Sequence, residues 1–276
     1  MLSVSQLFIY PIKSLHGIAI QSANITDRGL QHDRRFLLID KSNRFLTQRD
    51  FPKMALLQTA IEEDSLFVFH KDSFKNKLKL PLVPEPANEK IVVRIWDDDC
   101  EAQFISKQAD NWFSGQLNAD CRLVYMPDST ERKVDKKYAI HDDITNFSDG
   151  YPILIIGQAS LDDLNSRLTE PLPINRFRPN IVFTGGTPYE EDGMEHFIIN
   201  ELDFYGVKPS ARCVVTTTNQ ETGIAGKEPL KTLATYRSKN NKVYFGQNLL
   251  MKGEGKINVG DPIDIIKQKK RSFLSD

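Results

Sequence analysis

The chain has 276 residues, 40% of them hydrophobic and 26% charged, and its 36 Lys and Arg against 37 Asp and Glu give a formal net charge of −1. These values exclude a disordered, collagen-like or coiled-coil chain, and they exclude adhesion to nucleic acid or membranes through bulk charge, while leaving room for a local cationic pocket. A chain of this length forms one large domain or two closely packed ones and buries roughly three quarters of its unfolded surface.

The first third reads as β. Residues 4–10 form a β-rich run ended by Pro11; Ile18, Ile20, Ala23 and Ile25 give a second extended segment, and residues 35–40 a third. Short apolar runs at 66–69 and 91–96 follow, separated by Gly, Pro, Asn and Asp, the pattern of a barrel or sandwich. The Lys-rich stretch 71–79 reads as an exposed strand, and 81–86, with three prolines, as a loop. Ser106 is a start signal for an amphipathic helix over 109–117. From 126 to 149 the chain is polar and aperiodic, which points to a functional loop. The run 153–156 is apolar throughout. Ser160 is expected to cap a helix over 160–168, with Asp162 and Asp163 in its first turn. Strands are predicted at 180–184, 197–202, 214–218 and 257–266, and Pro229 opens a short helix carrying Leu230, Leu233 and Tyr236. The basic run 267–271 reads as a solvated tail.

No apolar run approaches the ~18 residues of a membrane span, and the lone Lys of the first fourteen residues, Lys13, follows an apolar stretch instead of preceding it. No membrane and no signal peptide are therefore expected. Cys100, Cys121 and Cys213 are too few and scattered for a disulfide framework, so the expected compartment is the cytoplasm.

The familiar nucleotide, zinc-protease and hydrolase signatures are absent, and the five His residues lack zinc-ligand spacing. Asp97, Asp98 and Asp99 read as a solvated turn. Five short clusters carry chemistry. Lys13-Ser14, at a strand end, is either an anion site or an ordinary turn. Asp33-Arg34 is either an ion pair or a pocket cation. Arg178 and Asn180 precede an apolar strand, at a pocket mouth or on the surface. Arg212-Cys213 is either a thiol activated by its neighbour, as nucleophile or soft-metal ligand, or a small buried hydrophobe. Ser148-Asp149-Gly150, at the end of the polar loop, is either an ordinary turn or a turn that places a catalytic carboxylate near a cleft.

In this order the clusters resemble the MOSC superfamily, in the amidoxime-reducing-component branch with an N-terminal β-barrel region. The matching segments are YPIKSL at 10–15, GLQHDRRF at 29–36, FSDGYPILI at 147–155, ASLDDLNSRL at 159–168, NRFRPNIVF at 175–183, ARCVVTT at 211–217, KEPLKTL at 227–233, FGQN at 245–248 and VGDPI at 259–263. The resemblance implies a mixed α+β, β-rich fold: a MOSC-type β-barrel with peripheral helices, packed on an N-terminal β-barrel-like region. The implied division is residues 1–120 for the N-terminal region, 121–267 for the MOSC domain and 268–276 for a basic tail.

The resemblance also implies a molybdenum cofactor, with Cys213 as the protein ligand to the metal. Lys13, Ser14 and Arg34 would hold the pterin and its phosphate, with further contacts from Arg178, Asn180 and Arg212. Ser148 and Asp149 would line the metal cavity, and Asp149 would relay protons. The implied activity is reduction of small N-hydroxylated compounds. Some relatives carry a ferredoxin domain and eukaryotic ones a targeting segment; neither is in this sequence, so the expected form is a stand-alone catalytic module. Electrons would come from a separate donor, a ferredoxin or flavodoxin, or a cytochrome b5-like protein with its reductase. Gly150 and Tyr151 depart from the small hydroxyl residues of animal relatives. The alternative reading is a cofactor carrier, or a sulfur-transfer module using a Cys213 persulfide.

Overall fold

A computed structural model describes residues 1–87 and 89–271. Seven of the nine strands of its main sheet form the barrel: β1 (Leu2–Ile9), β2 (Ile153–Gly157), β3 (Ile181–Thr184), β4 (Met194–Ile199), β5 (Leu202–Arg212), β6 (Lys242–Lys252) and β7 (Pro262–Gln268). The helices are α1 (Lys107–Leu117), α2 (Gln158–Ser166) and α3 (Leu230–Ala234). The strands lie in the order β2-β3-β1-β7-β4-β5-β6, and β6 pairs back onto β2, which closes a barrel. β2 and β3 are parallel. A parallel pair needs a crossover connection, and α2 supplies it.

The apolar run of β2 is explained by burial on both faces. Ile153 and Ile155 point into the barrel core with Phe183, Phe197 and Phe204. Leu154 and Ile156 point outward, beneath Leu161 and Leu164 of α2 and Leu233 of α3. With side chains alternating along a strand, two covered faces require an unbroken apolar sequence.

The second lobe combines a three-stranded sheet (Leu57–Glu62, Ser65–His70, Ser73–Pro81) with a four-stranded one (Phe36–Ile39, Arg122–Tyr125, Asp98–Phe104, Lys90–Ile95). Phe36 and Leu38 pack with Leu66, Val68 and Phe113 of α1, while Leu37 and Ile39 pack with Val93, Ile95 and Phe147. The chain begins in the barrel, since β1 sits between β3 and β7. It then builds the second lobe and returns to finish the barrel.

Several expectations are corrected. Residues 214–218 are not a strand. The Cys213 carbonyl accepts from the Thr216 amide at 3.1 Å and its hydroxyl at 2.9 Å, and the Val214 carbonyl from the Thr217 hydroxyl at 2.7 Å. These bonds wind Val214–Thr217 into a 3₁₀ turn; threonine hydroxyls compete here with the sheet ladder. Ser160 does not cap α2. The helix starts two residues earlier, and the buried Ser160 hydroxyl donates to Glu191 at 2.8 Å and accepts from the Tyr189 amide at 2.7 Å. The expected strand 197–202 is broken by a turn at Asn200 and Glu201, both left-handed. The expected strand 257–266 divides into Gly255–Asn258 and β7, which join different sheets. Asp98 and Asp99 open a strand, and Asp98 pairs with the buried Arg132 at 2.7 Å. In the basic run, Arg271 pairs with Glu190 at 2.7 Å, so that part is docked on the barrel; residues 272–276 of the expected tail lie outside the described residues. Ser106 does cap α1, accepting from the Ala109 amide at 3.1 Å.

Candidate functional site

A cleft of about 280 Å³ opens where the second lobe meets one end of the barrel, and all nine singled-out residues line it. Lys13, Ser14 and Arg34 follow β1 and its partner loop. Ser148 and Asp149 end the long polar loop. Arg178 and Asn180 lead into β3, and Arg212 and Cys213 end β5.

Tyr10 is the hub of one wall. Its ring is buried, with the Arg34 guanidinium 4.4 Å and the Arg178 guanidinium 4.2 Å from its centroid. Its hydroxyl donates to the Pro179 carbonyl at 3.0 Å. Burial pushes that hydroxyl up to about 12, so the ring stays neutral between its two cations. Arg34 donates to Asp33 at 2.6 Å, to the Asn180 side-chain oxygen at 3.0 Å and to the Arg178 carbonyl at 3.2 Å. Both sequence readings of Asp33-Arg34 are therefore met at once: the ion pair fixes the arginine that lines the pocket. The Asn180 side chain is fully engaged within the protein. It accepts from Arg34 and from the Leu154 amide at 3.2 Å, and donates to the Phe8 carbonyl at 3.2 Å. Asn180 thus ties β1 and β2 to Arg34.

Arg178 donates to the Leu15 carbonyl at 2.6 Å, and Arg212 to the Phe177 carbonyl at 2.6 Å and the Ser210 hydroxyl at 2.9 Å. Burial lowers both guanidiniums, Arg178 to about 10. Arg178 Nη2 and Arg212 Nε are buried donors with no protein partner. Unpaired buried N–H groups cost free energy, and an anion in the cleft would relieve it. Ser14, Arg34 and Arg178 hold left-handed backbone, with φ of 68°, 46° and 57°. Such strain persists where surrounding bonds over-determine it, and it concentrates at functional sites.

Across the cleft, Lys13 Nζ donates to Asp149 Oδ1 at 2.6 Å. Desolvation lowers the Lys13 ammonium to about 8 against the opposing pull of Asp149. Desolvation also pushes the Asp149 carboxyl upward, but the Lys13 charge and hydrogen bond, with Arg49 and Arg34, outweigh it and hold that carboxyl well below the usual range. Ser148 is pinned from behind: Arg132 donates to its carbonyl at 2.6 Å, and its hydroxyl bonds Thr145 at 2.7 Å.

Cys213 is half-buried at the start of the 3₁₀ turn, and among the described residues it is the one thiol lining the cleft. Cys100 and Cys121 are buried in other cores, where desolvation pushes each thiol up to about 11. They remain protonated and inert.

The sequence reading missed Arg49 and Lys208, which also line the cleft, alongside the Gly150 and Tyr151 it had noted. Arg49 sits in an aperiodic polar stretch, and nothing local marks it. Lys208 follows a bulge in β5 that turns it into the cleft, its Nζ 4.4 Å from the Tyr138 ring and 5.6 Å from that of Tyr151.

Comparison with known proteins matches residues 1–120 to the MOSC N-terminal beta barrel domain and residues 142–264 to the MOSC domain. The chain is 33% identical to mitochondrial amidoxime-reducing component 1 of Mus musculus and 31% identical to the Homo sapiens protein of that name. Each alignment covers 96% of this chain and 83% of the relative. It is also 31% identical, over 96% of its length, to a molybdenum cofactor sulfurase of Oryza sativa subsp. japonica, of which it spans 35%. Among the described residues no helix is long and apolar enough to cross a membrane.

Proposed function

The chain belongs to the MOSC family, in the group that contains the mitochondrial amidoxime-reducing components, and on that premise we propose that it is a molybdenum-cofactor-dependent reductase of N-hydroxylated compounds. The observation that carries this reading is the pairing of unpartnered buried guanidinium donors on Arg178 and Arg212 with a thiol, Cys213, in one cleft. A pterin phosphate needs such donors, and a soft redox metal suits a thiolate. The residues present therefore fit the group.

Cys213 would hold the metal. Lys13, Ser14 and Arg34 would hold the phosphate and pterin with Arg178 and Arg212, and Asn180 would act one step back, by orienting Arg34. When bound, the cofactor supplies two-electron chemistry to the substrate's N–O bond.

Reductive cleavage of N–OH consumes two electrons and two protons and releases water, so the cleft must deliver protons. Asp149 is ionised at neutral pH and cannot be the donor. Lys13 carries the available proton on Nζ, and its lowered affinity near 8 makes it a competent acid at neutrality. Asp149 orients that ammonium and favours its charged form, and Lys13 regains its proton from solvent. Electrons would come from a separate redox protein of the ferredoxin, flavodoxin or cytochrome b5 type.

The test compares wild type with Cys213→Ala, both made in a cofactor-competent host. Near one-to-one molybdenum and pterin in the wild type, with loss of metal and of amidoxime reduction in a folded variant, supports the reading. Undiminished turnover by the variant overturns it. The match to a molybdenum cofactor sulfurase gives sulfur carriage as the second reading. Intact-mass analysis showing one extra sulfur on Cys213, with no amidoxime turnover, would favour it.

A further inference from the structure

We propose that Arg49, stacked on Trp96, is the substrate-recognition fork of the cleft and that it selects ligands bearing a carboxylate. The inference rests on the reductase reading only in calling that ligand a substrate.

The four cleft arginines are mounted in two different ways. Arg34, Arg178 and Arg212 are each fixed by hydrogen bonds to the protein. Arg49 has, at its guanidinium, ring contacts and no hydrogen-bonded partner among the described residues. Its guanidinium carbon lies 4.3 Å from the Trp96 ring centroid and 6.0 Å from that of Phe45, and the two rings meet edge to face at 5.2 Å. No described residue accepts a hydrogen bond from its guanidinium or lies within ion-pair distance of it, and its Nε is a buried, unpartnered donor.

Stacking on an indole satisfies the π face of a guanidinium but none of its five N–H groups, which radiate in the plane. A guanidinium held this way presents its fork to a planar two-oxygen acceptor, the shape of a carboxylate. The carboxylates near it are committed elsewhere: Asp149, whose charge Arg49 feels, gives Oδ1 to Lys13 at 2.6 Å without reaching ion-pair distance of Arg49, and Asp33 is held by Arg34 at 2.6 Å. The acceptor must come from outside.

The position separates this fork from the cofactor cations. Arg49 lines the cleft, whereas Trp96, on which it stacks, lies outside the cleft lining and is 46% exposed, so the fork is mounted from the solvent side. Trp96 holds left-handed backbone, φ 57°, as the first residue of the two-residue hairpin turn between Lys90–Ile95 and Asp98–Phe104, which presents its ring to the guanidinium. A stacked arginine mounted from the solvent side suits a group that enters and leaves. Arginines fixed by hydrogen bonds to the protein suit a resident one.

The experiment uses cofactor-loaded full chain in a Trp112→Phe background, so that the remaining indole signal is that of Trp96. Benzamidoxime and 4-carboxybenzamidoxime are titrated by fluorescence, and molybdenum and pterin contents are measured alongside. The carboxylated probe is expected to bind about tenfold more tightly, one charge-assisted hydrogen-bonded contact. Arg49→Gln should bring the two affinities to within about twofold, and Arg49→Lys, a charge without the fork, should keep only part of the preference. An unchanged ratio in Arg49→Gln, no preference in wild type, or loss of cofactor from Arg49→Gln would each overturn the proposal. If the ratios hold and neither probe is reduced, the fork stands and the reductase reading fails.

Discussion

Glu191 allows a sharp test of the electrostatics of this fold. It lies in the short turn between β3 and β4 and is wholly inaccessible to solvent. One carboxylate oxygen, Oε2, accepts from the Ser160 hydroxyl at 2.8 Å; the other, Oε1, has no partner among the described residues. Its neighbour Asp192 is doubly bonded to the buried Arg237 at 2.6 and 2.9 Å, so that cation is already committed. Desolvation, reinforced by the Asp192 charge, raises the Glu191 carboxyl from 4.5 to about 7. A raised acid keeps its proton in the native state where the unfolded chain has lost it. Its stabilisation is therefore complete below 4.5 and is lost as pH rises through about 7. With about 1.4 kcal/mol per pH unit, the full loss is about 3 kcal/mol, of which about 2 kcal/mol falls between pH 5.5 and 8.5. Glu191→Gln removes the titration and keeps the shape. The variant's advantage over wild type, read from urea unfolding, should be about 2 kcal/mol larger at pH 8.5 than at pH 5.5. Other titrating groups cancel in that difference. A pH-independent difference would show that Glu191 is not carrying a buried charge at high pH, and the reasoning would fall.

Two further outcomes are expected. Lys13 loses its charge as pH rises through about 8, so binding of sulfate, whose own charge is constant over this range, should weaken roughly tenfold between pH 7 and 9.5. Lys13→Met should show weaker binding and no such step by calorimetry; a step surviving in Lys13→Met would assign it elsewhere. Asp33 is fully buried and accepts from both Arg34 at 2.6 Å and the Tyr10 amide at 2.8 Å. Asp33→Asn leaves a buried cation uncompensated and should cost about 3 kcal/mol in chemical unfolding; a loss below about 1 kcal/mol would refute the pairing's importance.

Much of the site was legible because the residue types carry their chemistry with them. A lysine, three arginines and a cysteine at strand ends are candidates for an anion and soft-metal site even without coordinates, and their order along the chain marks the family. Local elements were legible where a local cause exists: Ser106 caps α1 through a bond three residues away, and the unbroken apolar run of β2 declares two covered faces. Where a distant partner intervenes, local signals mislead. Ser160 looks like a cap, but Glu191, thirty-one residues on, recruits its hydroxyl. Asp98 reads as solvated and is 48% exposed, yet it also pairs with the buried Arg132, which no local signal announces. Arg49 had no sequence signal at all, because its role depends on a tryptophan 47 positions away.

The sequence by itself determined which groups are available and which stretches must be buried, since charge, softness and side-chain alternation are properties of residues and of short-range spacing. Only the tertiary structure decided where those groups point. The left-handed backbone of Ser14, Arg34 and Arg178, the clasp of two guanidiniums on Tyr10, and the approach of Asp149 to Lys13 across 136 positions arise from closing β1 into a barrel with strands from the other end of the chain. Such contacts are made by burial and pairing between distant segments, and the free energy that holds them exists only once the barrel has closed.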